Sequence, residues 1–430
     1  MRTIITRCGF GVLVFFMLTI FARFFTQNVL LERLHMDNGF VRAILYFDRP
    51  SYQQGMVILD WAEMYPFKGA KQRDDPEGNT NTLDRFNDVI ITLEEKINAY
   101  TTDVLIAYTQ FAEKASKIEW LLGWNLHETI VDLGGGYLVE PVGKFDAMPS
   151  VRKFAEFNNF LAGLQIDLLY VQCPNKICRY DTIPAGIANF FNQNADEFLA
   201  GLSSYQIPYL DLREAIHAGG FDHHSLLYRT DNHWKSETGL WAAGKLAEYL
   251  NTRNGFMIDL SVFDPDSYRY DVYANWYLGG YARKLTLARA APEDFTLIYP
   301  EFDTDFSIQM PSWGIDTRGT FDVFYWKEQV SKVDYYNLSP YYAYFHSFNA
   351  VASIHNNVLQ SGKKILFIND SFGWTFIPFF ACGVENIDSI DLRNFTGSVR
   401  SYIEQTKPDM VIVMYNTGFQ SKTEQSFNFR

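Results

Sequence analysis

The chain has 430 residues, 47% of them hydrophobic and 17% aromatic, which excludes a disordered polypeptide and allows one large domain or two ordinary ones. A formal charge of −13 argues against a nucleic-acid partner, whose phosphates need a basic face, and against adsorption to an anionic bilayer surface. Four cysteines are too few for a disulfide scaffold.

Arg2 and Arg7 precede an uncharged apolar run from Cys8 to Ala22, which resumes after Arg23 with Phe24 and Phe25. The run is short for a membrane span, but Arg23 near its end can snorkel to the interface. A cleaved signal peptide is the competing reading, yet no small-x-small cleavage site follows. Residues 1–26 are therefore expected to form an uncleaved signal anchor. This single transmembrane helix would have its N-terminus in the cytoplasm and would leave the globular part outside the cell membrane.

Residues 27–127 read as a helical and irregular region. A polar stretch from Lys68 to Thr82 predicts an exposed loop. From Leu83 to Leu122 apolar residues recur at helical spacing (Phe86, Val89, Ile90, Leu93, Ile97), which predicts one or two helices. Gly134–Gly135–Gly136 has no lysine and no following helix to make a phosphate cradle, and predicts a turn between short strands.

Residues 128–430 read as an α/β domain. Helices are expected over Val151–Leu164, Ala185–Ser204 and Ser236–Leu250, and strands over Asp167–Gln172 and Ile207–Leu212. Cys173 and Cys178 flank Pro-Asn-Lys-Ile; outside the cell they could bridge, although buried free thiols are the commoner outcome. Toward the C-terminus the alternation continues with a strand at Ile387–Leu392, a helix at Thr396–Thr406 and a strand at Asp409–Tyr415. Strands separated by helix-length segments imply a mostly parallel sheet with helices on both faces, giving three layers, α/β/α. Between them, residues 254–348 break the rhythm. They are rich in Tyr, Phe, Trp, Asp and Gly, and are read as a β-rich insertion beside the carboxyl edge of the sheet. Its aromatic residues suit a sugar-binding groove, or serve only as the insertion's own core.

Two stretches carry the chemistry. Lys363–Lys364–Ile365–Leu366–Phe367–Ile368 is a buried strand that stops at Asn369–Asp370–Ser371, ahead of a helix predicted from Trp374 to Ala381. That turn sets Ser371 at the carboxyl edge of the sheet, near a helix N-terminus whose free N–H groups could hold an oxyanion. The plain alternative is that Asp370 and Ser371 only cap the helix. Tyr228–Arg229–Thr230–Asp231–Asn232–His233–Trp234 holds an Asp-x-His pair just before a helix. A serine needs a base, and the base needs an orienting group. The alternatives are a structural histidine, or a metal site with Asp222, His223 and His224, whose spacing matches no metal signature.

Tyr-Arg-Thr-Asp-Asn-His-Trp resembles the signature of the DHHW family, with Asn232 in place of the first His. Asp-Ser-Phe, followed by Ile387–Asp388–Ser389–Ile390–Asp391–Leu392–Arg393, resembles that family's nucleophile block. The family is akin to the alginate O-acetyltransferase accessory proteins, whose domain looks like an SGNH hydrolase in permuted order, with Asp and His before Ser. The resemblance implies Ser371 as nucleophile, His233 as general base and Asp231 as its orienting partner. On the oxyanion or substrate side it points to Gly279, Gly280, Asn349 and Arg393. Two segments depart from the family pattern there. Trp276–Tyr277–Leu278–Gly279–Gly280 stands where relatives have Gly-Ser, and His346–Ser347–Phe348, followed by Asn349, stands where they have Gly-Gly-Asp or Gly-Gly-Asn. Arg393 is expected to bind substrate or to brace the loops.

The resemblance implies a membrane-anchored serine O-acyltransferase, most plausibly an O-acetyltransferase, that modifies a cell-envelope or exopolysaccharide glycan through an acyl-serine. Its partners would be the glycan and a polytopic membrane acyltransferase supplying the acyl group; no cofactor and no metal is expected. A carbohydrate esterase with the same triad is the nearest alternative. A non-catalytic glycan-binding or assembly protein with a degenerate site is the other.

Overall fold

The computed structural model describes residues 51–53, 56–58, 130–181, 187, 189–253, 255–420 and 423–430. The chain divides into two compact units, Met1–Tyr108 and Thr109–Arg430. In the first, strands β1 (Ser51–Gln53) and β2 (Met56–Ile58) pair antiparallel, with Ser51 opposite Ile58. The expected signal anchor, the loop at residues 68–82 and the helices within residues 83–122 lie outside the described residues. Among the described residues, no helix is long and apolar enough to cross a membrane.

The second unit begins with two short antiparallel strands, β3 (Val131–Asp132) and β4 (Leu138–Val139), joined through the glycine turn. Gly134, Gly135 and Gly136 all take positive φ, the conformation that favours glycine, as the predicted turn requires. Helix α1 (Met148–Gly163), strand β5 (Asp167–Gln172), helix α2 (Phe191–Ser204), strand β6 (Tyr209–Asp211), helix α3 (Leu212–Ala218) and helix α4 (Ser236–Arg253) follow. The middle of the chain holds β7 (Tyr268–Tyr277), α5 (Gly280–Leu285), β8 (Glu293–Pro300), β9 (Phe306–Met310) and β10 (Ile315–Gly319). Next come β11 (Val351–Asn356), β12 (Lys364–Asn369), a 3-10 turn (Ser371–Thr375) and a short helix α6 (Ile377–Phe380). The chain closes with β13 (Asn386–Ile390), α7 (Val399–Thr406), β14 (Met410–Tyr415), and the short helices α8 (Thr417–Gln420) and α9 (Thr423–Ser426).

Eight strands form the main sheet in the order β10-β9-β11-β13-β12-β14-β5-β6. The five from β13 to β6 are parallel, and β11, β9 and β10 continue the sheet antiparallel. The continuous apolar runs of β12 and β14 are buried on both faces, and alternate residues feed two cores. Ile365, Phe367, Ile412 and Met414 face one core with Leu240, Leu246 and Leu250 of α4. Leu366, Ile368, Val411 and Val413 face the other with Phe154 and Leu161 of α1 and Phe198 of α2. Period-2 alternation in strands between amphipathic helices thus produces the three layers.

The insertion departs from expectation in one respect. Only β7 and β8 form a separate two-stranded sheet; β9 and β10 extend the main sheet beyond β11, which was not anticipated as a strand. The alternating burial of Phe306, Ile308 and Met310 lets β9 pair with the free edge of β11 while adding to the same core.

Candidate active site

The β12 strand delivers Asn369–Asp370–Ser371 to the carboxyl edge of the sheet. Asp370 caps the 3-10 turn: its Oδ1 accepts from Phe372 N at 2.9 Å, and its Oδ2 accepts from Asn416 N at 2.8 Å beyond β14. Burial pushes the Asp370 carboxyl above its ordinary value. The segment expected as a helix from Trp374 therefore begins as a tighter turn at Ser371.

The second loop closes on itself. Leu227 and Trp234 form an isolated antiparallel bridge, and Tyr228 N donates to His233 O at 3.1 Å. Asp231 Oδ1 accepts from His233 N at 3.1 Å and also bonds His233 Nδ1. The other ring nitrogen, His233 Nε2, stands 2.6 Å from Ser371 Oγ. Asp231, His233 and Ser371 are all buried, so the chain carboxylate–imidazole–hydroxyl lies within the protein at the sheet rim. Burial of Asp231 opposes its ionisation. His233, the Gly280 N–H and Tyr277 outweigh that penalty and hold the carboxyl well below the usual carboxylate range.

Two side chains lock the loops together: Trp234, expected to pack around the triad loop, and Tyr341, which sequence reasoning missed. Trp234 Nε1 donates to Thr375 Oγ1 at 2.8 Å. The Tyr341 ring stacks on His233, with centroids 4.1 Å apart, while its hydroxyl donates to Ser371 O at 3.0 Å. Nothing in the local spacing of Ser-Pro-Tyr-Tyr-Ala-Tyr marks Tyr341; it comes from the insertion and meets the site only in three dimensions.

The other expected site residues make the following contacts. Gly279 N donates to Thr230 Oγ1 at 3.0 Å, and Gly280 N donates to Asp231 Oδ2 at 2.5 Å. Both N–H groups are thus committed to holding the acid end of the triad, and the oxyanion role expected of Gly279 and Gly280 is corrected on that ground. Asn349 Nδ2 donates to Phe345 O at 2.7 Å and closes a turn in which Phe345, His346, Ser347 and Phe348 all have φ between 41° and 54°. Left-handed backbone without glycine is strained. Trp313 Nε1 on Ser347 O and Asn394 Nδ2 on Phe348 O help to hold it. The chain thus builds a left-handed turn where the expected glycines are missing. Arg393 forms a two-pronged pair with the buried Asp391 and lies over the Trp374 ring, 5.7 Å from its centroid, which is a bracing geometry.

His223 Nε2 lies 2.6 Å from Asn175 O, and His224 Nε2 lies 2.8 Å from Asp181 Oδ2. Asp222 caps the turn that carries them by accepting from His224 N. Among the described residues no cluster could hold a metal ion. Cys173 and Cys178 are free thiols.

Residues 136–259, which include Asp231 and His233, match the family described as "SGNH hydrolase-like domain, acetyltransferase AlgX". The fold is SGNH hydrolase-like. Bacillus cereus PatB1 superposes on this SGNH-like domain with a TM-score of 0.57 at 17% identity, covering 70% of this chain and 99% of that one. The same protein with a sulfonyl adduct gives 0.58 at 18% identity, covering 70% and 98%. A DHHW family protein from Eubacterium siraeum gives 0.52 at 19% identity, covering 70% and 94%. The resemblance read from the two motifs therefore holds at the level of the fold. No curated protein matches the sequence.

Proposed function

We propose that this protein is a serine O-acyltransferase, acting as an O-acetyltransferase on a cell-envelope or exopolysaccharide glycan. The observation that carries the reading is the continuous link from Asp231 through His233 to the Ser371 hydroxyl, with Nε2 to Oγ at 2.6 Å. Ser371 Oγ attacks the acyl carbonyl of the donor as His233 Nε2 takes its proton, and Asp231 stabilises the imidazolium. The Ser371 backbone N–H, at the start of the 3-10 turn, is the first donor for the oxyanion. Collapse breaks the bond to the donor's leaving group, which takes the proton from His233 and departs. A sugar hydroxyl then attacks the acyl-serine, gives its proton to His233, and leaves as the ester while Ser371 is reprotonated.

Beside the nucleophile the partly exposed rings of Tyr342 and Phe348 pack edge-on against the buried Trp374, at 5.8 and 5.0 Å, and on this reading their outer faces meet the sugar acceptor. Such rings stack on pyranose faces. On this reading the apolar run at residues 8–25 anchors the domain outside the cell, and a polytopic membrane acyltransferase supplies the acyl group. Water in place of the sugar would make the same site an esterase.

The test is the acetate content of envelope glycan in cells carrying wild type or Ser371→Ala, alongside labelling of the full-length protein by a fluorophosphonate. Loss of both glycan acetate and label with Ser371→Ala supports the reading. Unchanged acetate refutes the transferase, and a wild type that takes no label refutes the serine mechanism. Higher glycan acetate in the variant identifies an esterase.

A further inference from the structure

We propose that Lys176 and Glu293 clamp the backbone of residues 228–230 from opposite sides and so position Asp231 and His233 for proton transfer with Ser371. This inference rests on the serine acyl-transfer reading above. Lys176, in the loop after β5, is 1% exposed. Its Nζ donates to Tyr228 O and, at 3.3 Å, to Arg229 O. Glu293, the first residue of β8, accepts at Oε2 from Arg229 N at 2.9 Å and at Oε1 from Thr230 N at 2.7 Å, and also from the Thr230 hydroxyl. Consecutive peptide groups are thus held by their carbonyls from one element and by their N–H groups from another.

The grip continues to the reacting atoms. Thr230 O accepts from Tyr281 N and Ala282 N, both at 3.1 Å, and Thr230 Oγ1 accepts from Gly279 N. These bonds dock the start of α5 so that Gly280 N reaches Asp231 Oδ2. The contacts therefore run from Glu293 to Thr230, to Gly279 and Gly280, to Asp231, to His233 and to Ser371. Two buried ionisable side chains are a poor way to gain stability, because apolar residues of the same volume often do as well or better. What they supply is one geometry for the segment.

The groups facing Lys176 are Glu293 on β8, Asp231 and Arg229 on the loop, Lys235 just ahead of α4, and Tyr137 before β4. Its own loop is tied by the Tyr137 hydroxyl on Lys176 O and by His223 against Asn175 O. Burial pushes the Lys176 ammonium down to about 7. The charged form donates the stronger hydrogen bonds, so the clamp loosens as the pH rises through that value.

Hydrogen–deuterium exchange of the full-length protein in detergent reads the clamp directly, on the peptide covering residues 227–235. Lys176→Met and Glu293→Gln should each raise exchange of that peptide at least about tenfold at pH 6.5 while peptides from β12 and β14 stay protected. Protection of the wild-type peptide should fall between pH 6.5 and 8.5 beyond the intrinsic rate change, and Lys176→Met should abolish that extra fall. In parallel, kcat for Ser371-dependent release of 4-nitrophenol from its acetate should drop at least about tenfold with KM held within about twofold.

Wild-type exchange in both variants overturns the clamp. A loosened peptide with unchanged kcat overturns the positioning role. If Lys176→Met does not fold, Glu293→Gln decides by the same two readouts. If the wild type shows no Ser371-dependent turnover, acyl transfer by this site fails and the positioning role fails with it, while exchange still decides whether the segment is clamped.

Discussion

Gly279 offers a substitution whose effect is set by space alone. Its backbone, at φ −68° and ψ 170°, is one that any residue adopts. A Cβ added there would lie 2.5 Å from Asp231 Cβ and 2.5 Å from Thr230 O, whereas ordinary contact begins at 3.4 Å, so about 0.9 Å (3.4 − 2.5) must be found. Neither neighbour is the far end of a flexible side chain. Thr230 is held by Glu293, so Asp231 must give way and lose its alignment with the His233 ring. Overpacking of this kind costs about 1–3 kcal/mol of stability. A displacement of about 1 Å at a catalytic group lowers kcat by about 100-fold. Gly280→Ala is the control, because its Cβ would meet only Asp231 Oδ2, at 3.3 Å. The assay is Ser371-dependent release of 4-nitrophenol from its acetate by the full-length protein in detergent, with Tm recorded for each variant. A folded Gly279→Ala protein with kcat near wild type, or a Gly280→Ala protein impaired as badly, would refute the close approach as the device that aligns the acid.

Other outcomes follow from the same geometry. Asp231→Asn removes the charge that holds the imidazole in its working tautomer, and the same assay should show kcat down by about 10⁴-fold. Because the folded-state pKa of Asp231 is depressed, its contribution to stability is present above the unfolded carboxylate value of about 3.9 and is lost as the pH falls below it. Urea midpoints at pH 6 and pH 3 should therefore fall more steeply for wild type than for Asp231→Asn. Arg393→Ala leaves the buried Asp391 carboxylate without its counter-charge, with the residue 393 N–H as a remaining donor, at a cost of about 3 kcal/mol in urea unfolding. Hydrolysis of a small ester by the surviving folded fraction should stay within about threefold of wild type, since the Arg393 guanidinium is taken up by Asp391. Trp234→Phe deletes the indole donor to Thr375 and should cost about 1–2 kcal/mol of stability, read as a lower Tm.

Much of the architecture was legible along the chain. Buried parallel strands announce themselves as continuous apolar runs, and the strand expected over Asp167–Gln172 has those bounds. The strand-turn-helix at Ser371 and the Asp-x-His loop were legible because each packs its chemistry into a few adjacent residues. Burial at the antiparallel end of the sheet was less legible. The alternation of β9 and β11 resembles that of any half-exposed strand, and their pairing depends on a partner far away in sequence. The dense aromatic content of residues 254–348 indicated packing without saying against what.

By itself the sequence determined the α/β class, the parallel core of the sheet, and the identity of the serine, the histidine and the aspartate brought together at its rim, because periodicity and local motifs are properties of neighbours along the chain. Only the tertiary structure decided what holds them. Gly279 and Gly280 serve the carboxylate rather than an oxyanion, Tyr341 backs the imidazole, and Lys176 from the loop after β5 and Glu293 from the start of β8 grip the loop. Outside proline, every residue offers the same backbone N–H and carbonyl, so which of them a buried side chain will bind is fixed by where the packed layers bring it.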